Sequence, residues 1–220
     1  MPKSRSRLYQ HKSGFAFAPS YGLTAVLPLT LHWVALFAVP LYDALSMNKE
    51  IHDAMLLLPP DSYHMTLRGL TRDLLPSVEI QTLKALDDAY LRIFEGSRAQ
   101  IHVKPEHPYA AGIALLVLEP HDALHNLLAA AQSATCTVAD LEPAEQEYHL
   151  SIGYFITQDR AAQVRAQDIV LHTVKQILSA HRQSVGSSPL LELLPPRVCW
   201  YDSMKRFPLM FPEGVPAPPN

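Results

Sequence analysis

The chain has 220 residues and a mass of 24.5 kDa, with 48% hydrophobic and 18% charged residues, 19 prolines and 8 glycines. That supplies one globular domain with a sizeable core, or two small lobes, and it excludes a disordered, collagenous or coiled-coil chain. A formal charge of -3 and a pI near 6.4 offer no global field for a long polyanion, which argues against duplex DNA and requires any phosphate site to be local.

Residues 1–20 are basic and then mix Ser, Gly, Pro and aromatic residues without a sustained period, and read as a flexible arm. The first apolar run, Gly22 to Leu29, suits a buried strand, and Val34, Phe37, Ala38, Leu41 and Leu45 recur at helical spacing from His32 to Asn48. The 19 residues from Leu23 to Leu41 carry no Asp, Glu, Lys or Arg and follow Lys3, Arg5, Arg7 and Lys12, as in a signal anchor. Pro28, His32 and Pro40 interrupt that stretch, and the strand-then-helix reading accounts for it; a membrane anchor stands as the alternative.

The chain next reaches Leu58-Pro-Pro-Asp-Ser-Tyr-His-Met-Thr66, a helical pattern from Val78 to Phe94, and a short strand at Ile101 to Lys104. The same succession then recurs. A run beginning at Gly112 is followed by a helix through His125, by Glu147-Tyr-His-Leu-Ser-Ile-Gly153, by a helix from Arg160 to His181, and by a strand from Arg197 to Tyr201. A β-α-β-α-β unit present twice predicts an α+β fold with pseudo-two-fold symmetry, lobes of roughly 21–105 and 106–211, and a Pro-rich tail at 212–220.

Both units place Tyr-His-apolar-hydroxyl-apolar at the same point: Tyr63-His64-Met65-Thr66-Leu67 and Tyr148-His149-Leu150-Ser151-Ile152. With 11 His and 24 Ser plus Thr, His-x-Ser/Thr alone carries almost no information, and the third match, His11-Lys12-Ser13, is accidental. The matched position in a repeat is what singles out the other two. Strand alternation puts His64, Thr66 and Arg68 on one face, and His149, Ser151 and Gly153 on one face of the second strand. Two imidazoles on one phosphodiester can act as general base and general acid, with the hydroxyls donating to phosphate oxygens, so neither metal nor cofactor is needed.

These strings, with Cys199-Trp-Tyr-Asp-Ser-Met204 and Phe207, resemble the two-histidine (2H) phosphoesterase superfamily, which includes the LigT-like RNA ligase and cyclic phosphodiesterase proteins. The resemblance spans about residues 20–211. It implies a bilobal fold with antiparallel sheets around a central groove, and a phosphodiesterase acting on a 2′,3′-cyclic phosphate, a cyclic nucleotide or the end of a short RNA. His64 and His149 would be catalytic, with Thr66 and Ser151 holding the phosphate. The chain departs from the pattern in having Gly153-Tyr154-Phe155 where a basic residue follows the second motif, and Arg68 is the substitute for phosphate charge. The sequence does not decide which histidine is the base; the working assignment has His149 activate water and His64 protonate the leaving oxygen. Tyr63, Tyr148 and Tyr201 are candidate substrate contacts. A non-catalytic nucleotide- or RNA-binding module on the same fold is the rival reading.

His121 and His125 stand at metal-ligand spacing on a helix, without a visible third ligand. His102, Lys104 and His107 form a small basic cluster, and Tyr21, Tyr154 and Trp200 join Tyr201 as residues able to stack on a base. No Gly-rich phosphate loop, GxSxG elbow or catalytic-type Cys-His neighbour occurs. Cys136 and Cys199 are too few for a disulfide framework or a thiolate zinc site and read as reduced thiols, which suits a reducing compartment; a cytoplasmic location and a monomer are the expectations.

Overall fold

The computed structural model describes residues 8–11, 14–17, 22–71, 80–104, 112–139, 147–185, 190–201, 205 and 207. Its first elements are strands β1 (Leu8–His11) and β2 (Gly14–Phe17), which pair antiparallel from Leu8↔Phe17 to His11↔Gly14. The predicted flexible arm therefore contains a hairpin. Aromatic residues on either side of Lys12-Ser13 supply strand propensity that a search for a sustained period overlooks.

The main sheet is built from β3 (Gly22–Pro28), β4 (Met55–Leu57), β5 (His64–Thr71), β6 (Ala99–Lys104), β7 (Ile113–Pro120), β8 (His149–Phe155), β9 (Leu191–Leu193) and β10 (Arg197–Tyr201). The helices are α1 (Leu31–Trp33), a π-helical turn (Val34–Ala38), α2 (Val39–Ser46), α3 (Lys49–Ala54), α4 (Ile80–Ile93), α5 (Asp122–Ala139) and α6 (Arg160–Val185). Strand order is β10-β3-β5-β8-β7-β6-β9, with β4 added to β8, and the pairings are antiparallel. β9 also reaches round to the end of β3, where Leu29 bridges Leu193 and Leu194 N–H donates to the Pro28 carbonyl at 2.8 Å. The sheet is thus curled, and the fold is α+β.

Leu23 to Leu41 forms a strand and then a helix. β3 is buried along nearly its whole length, flanked by β10 and β5, which explains its unbroken apolar run. Thr30 caps the helix by accepting from Trp33 N–H, and Trp33, Phe37, Ala38, Leu41 and Leu45 face the core. The helix widens to a π-turn just before Pro40, which has no amide to continue the α-helical ladder. Among the described residues no helix is long and apolar enough to cross a membrane.

Apart from β4 and β9, the sheet order maps onto itself when reversed, with β5 exchanged for β8, β3 for β7 and β10 for β6. A pseudo-two-fold axis therefore passes between β5 and β8. The two ends of the sheet are not the two halves of the chain, because β6 crosses to pair with β7 and β10 returns to pair with β3. Helices exchange likewise: α4 packs on α5, and α6 packs on α2 and α3. Tyr90 of α4 and Thr135 of α5 join their hydroxyls at 2.6 Å, while Trp33 of α1 meets His181 of α6 at a ring separation of 5.0 Å. A boundary near residue 105 consequently divides the chain but not the sheet.

β10 is locked in place from α4. The Asp87 carboxylate, 2% exposed, accepts from Arg197 Nε and Nη2 at 2.9 Å and from Val198 N–H at 2.7 Å. One buried acid thereby satisfies a guanidinium and a strand amide together.

Candidate functional site

β5 and β8 meet at the pair Met65↔Leu150, on the pseudo-axis. Continuing that antiparallel register by one residue sets His64 opposite Ser151 and Thr66 opposite His149. Met65 and Leu150 are fully buried toward the core, whereas His64, Thr66, His149 and Ser151 are all half-buried on the opposite face. The two histidines are then diagonal neighbours, a separation of about 7–8 Å or somewhat less between their Cβ atoms. Diagonal neighbours on one face are close enough for two imidazoles to address different oxygens of one phosphate.

Both imidazoles are oriented in the same way. His64 Nδ1 lies 2.6 Å from the Ser62 carbonyl and His149 Nδ1 lies 3.3 Å from the Glu147 carbonyl, in each case the residue two positions earlier. A carbonyl can only accept, so Nδ1 carries the proton and Nε2 is left to exchange one with a substrate. The environments differ. Burial holds His64 well below the ordinary histidine range, at about 4; the Ser62 hydrogen bond opposes this and the nearby His149 adds to it. Phe207, beyond β10, lies against the His64 ring at a centroid distance of 4.2 Å, and Tyr201 lies 5.7 Å from Phe207.

Each motif strand is interrupted one residue after its hydroxyl. Val26 pairs with Thr66 but Ala25 with Arg68, leaving Leu67 extra; Leu115 pairs with Ser151 but Ala114 with Gly153, leaving Ile152 extra. The carbonyls beside the bulges find side-chain donors, Thr24 Oγ1 to the Arg68 carbonyl at 3.1 Å and Gln167 Nε2 to the Leu115 carbonyl at 2.9 Å.

The bulge corrects the placement of Arg68. Paired residues share a face, and Ala25 and Val26 point oppositely, so Arg68 is turned away from Thr66. It lines a cavity of about 320 Å³ with Ala129, Gln132, Ser133, Thr135, Cys136 and Thr137 of α5. The simple alternation that put it beside the phosphate ignored the extra residue. Gly153 is likewise turned from Ser151, and a Cβ there would meet the Leu56 carbonyl and Met55 Cε at 2.7 Å and Leu57 Cα at 3.2 Å. β4 occupies the space that a side chain following the second motif would need.

Two of the tyrosines also fall elsewhere. Tyr63 is 1% exposed with its hydroxyl unpartnered, and Tyr148 uses its hydroxyl to accept from Gln132 Nε2 of α5 at 2.9 Å. Each stands one residue before its histidine and so takes the helix-covered face, as alternation demands. Tyr201 alone of the three approaches the site, through Phe207. Trp200 has its Nε1 buried without a partner, and Tyr154 is buried. His102 and His121 lie 6.3 Å apart between ring centroids, and Lys104 pairs with Glu119 at 3.2 Å, but no group of three metal-ligating side chains occurs among the described residues. His107, Tyr21 and the 212–220 tail lie outside the described residues. Phe207 stood out in the sequence only through the resemblance; its contact with His64 joins distant positions, which periodicity does not report.

No family model matches the chain, and no curated protein matches it. Its fold is similar to the crystal structure of a conserved protein of unknown function from Agrobacterium tumefaciens, with a TM-score of 0.64 and 17% identity over 94% of this chain and 90% of that one.

Proposed function

We propose that the protein is a phosphodiesterase of the two-histidine type, acting without a metal on a 2′,3′-cyclic phosphate, a cyclic nucleotide or the end of a short RNA. The observation that carries this reading is the Met65↔Leu150 register, which sets the two His-x-hydroxyl motifs against each other at the pseudo-axis with matching Nδ1 anchors. The low net charge favours small substrates. Free thiols at Cys136 and Cys199 support a cytoplasmic setting.

We assign the roles the other way round from the sequence-based assignment, because burial keeps His64 neutral. His64, held neutral, is the base: its Nε2 takes a proton from water as the water oxygen bonds to phosphorus. His149 in its protonated form gives its Nε2 proton to the ester oxygen as the P–O bond breaks. Solvent then returns one proton to His149 and removes one from His64. Thr66 and Ser151 donate to the non-bridging oxygens, whose charge grows in the transition state. With Arg68 turned toward α5, a protonated His149 supplies positive charge at the phosphate.

The test is turnover of 2′,3′-cyclic nucleotides, 3′,5′-cyclic nucleotides and short oligonucleotides by purified protein with chelator present. Hydrolysis of at least one class, lost on His64→Ala and on His149→Ala, is expected. A wild type no more active than the double variant on every substrate would overturn the reading.

A further inference from the structure

Phe207 has no role in the acid–base scheme, yet it makes the closest ring contact at the site. Its ring is tilted 58° to the His64 imidazole at 4.2 Å, and Tyr201 backs it at 5.7 Å. Phe207 is half-buried and packs at the margin of the core. The imidazole is consequently held on two sides: the Ser62 carbonyl takes Nδ1–H in the ring plane, and the phenyl ring covers part of the imidazole. An imidazole so confined has little freedom to flip, and less water with which to stabilise a positive charge.

We propose that Phe207 is a positioning residue for His64, closing the ring off from water and holding it with Nε2 presented to the groove. The proposal rests on the reading of His64 as the base. Among the described residues, the ionisable groups on the elements around His64 are these. β8 contributes His149, β3 carries no ionisable residue, and the turn before β5 carries Asp61, which is exposed. Beyond β10, Lys205 is exposed and Tyr201 meets Phe207 rather than His64. Burial is the largest cause of the lowered titration of His64, and Phe207 packs directly against its ring.

The experiment is an NMR titration of the histidine ring protons in the full chain without substrate, comparing wild type, Phe207→Leu and Phe207→Ala. In the wild type, His64 should titrate near 4 and show upfield ring-current shifts and contacts to Phe207 protons. Phe207→Ala should raise the midpoint by at least about one pH unit, a tenfold change in proton affinity, with Phe207→Leu between the two. An unchanged midpoint in folded Phe207→Ala overturns the proposal. Should Phe207→Ala not fold, the wild-type contacts and Phe207→Leu decide, and absence of both the contacts and a shift overturns it. Kinetics separate this from the functional reading: the acid limb of kcat/KM should move with the midpoint. A midpoint that moves while the limb does not removes His64 as base, and with it any part for Phe207 in turnover.

Discussion

The pH dependence of kcat/KM tests the division of labour between the histidines, because this parameter reports ionisations of the free enzyme. His64 is held at about 4, so at pH 7 roughly one molecule in a thousand carries a proton on it. If His64 is the base, its own ionisation leaves kcat/KM level from neutral pH down to about pH 5, halves it near 4, and lowers it about tenfold per unit below that. If His64 were the acid, its protonated fraction would fall about tenfold per unit above pH 4, leaving about a thousandth of its low-pH value at neutrality. The assay is initial rates at substrate concentrations below KM in constant-ionic-strength buffers, with His149→Ala as the background. An acid limb centred near the ordinary histidine value, about 6.5, would refute the inference that the site keeps His64 neutral. Stability should follow the same group. Its folded value lies below its unfolded one, so between pH 6.5 and 4 the unfolded chain binds the extra proton, and stability is lost as the pH is lowered through that window, by about 3 kcal/mol. Denaturant titration at pH 7 and pH 4.5 measures it, and His64→Asn should remove this contribution.

Three further expectations concern the scaffold. Asp87→Ala leaves the mostly buried Arg197 without its carboxylate and Val198 N–H without an acceptor, and should cost about 3–5 kcal/mol in urea unfolding, with β10 losing amide protection. Gly153→Ala forces a methyl group onto the backbone of β4, and should destabilise by about 1–3 kcal/mol; a melting temperature equal to wild type would contradict the close approach. Tyr63→Phe deletes a buried hydroxyl that has no partner, and should leave stability unchanged or raise it by up to about 1 kcal/mol, measured by calorimetry, whereas a loss would mean that the hydroxyl is bonded.

Much of the fold was legible because it depends on local periodicity. The unbroken apolar run of β3, the helical stripe of Leu83, Leu86 and Tyr90 in α4, and the short strand Arg197–Tyr201 each declare their element within a few residues. The paired motifs were legible for a related reason: a duplicated unit repeats its chemistry at a matched position, and alternation already separates His64 and Thr66 from Met65. Alternation also placed Tyr63 and Tyr148 opposite their histidines, so their assignment as substrate contacts went against the pattern that carried the rest.

Tertiary structure decided what lies beyond the reach of alternation. An extra residue in each motif strand turns Arg68 to α5 and Gly153 away from Ser151, and a bulge is defined by the partner strand rather than by its own sequence. The crossing of β6 and β10 between the ends of the sheet depends on which edges are open when the strands assemble, and no residue in either strand records it. The His64 ring meets a phenyl ring from the far end of the chain, and burial that only folding supplies keeps it neutral. The sequence by itself determined which groups are available for chemistry; their register, their facing and their access to water come from contacts between residues far apart in the chain, which periodicity along the chain cannot encode.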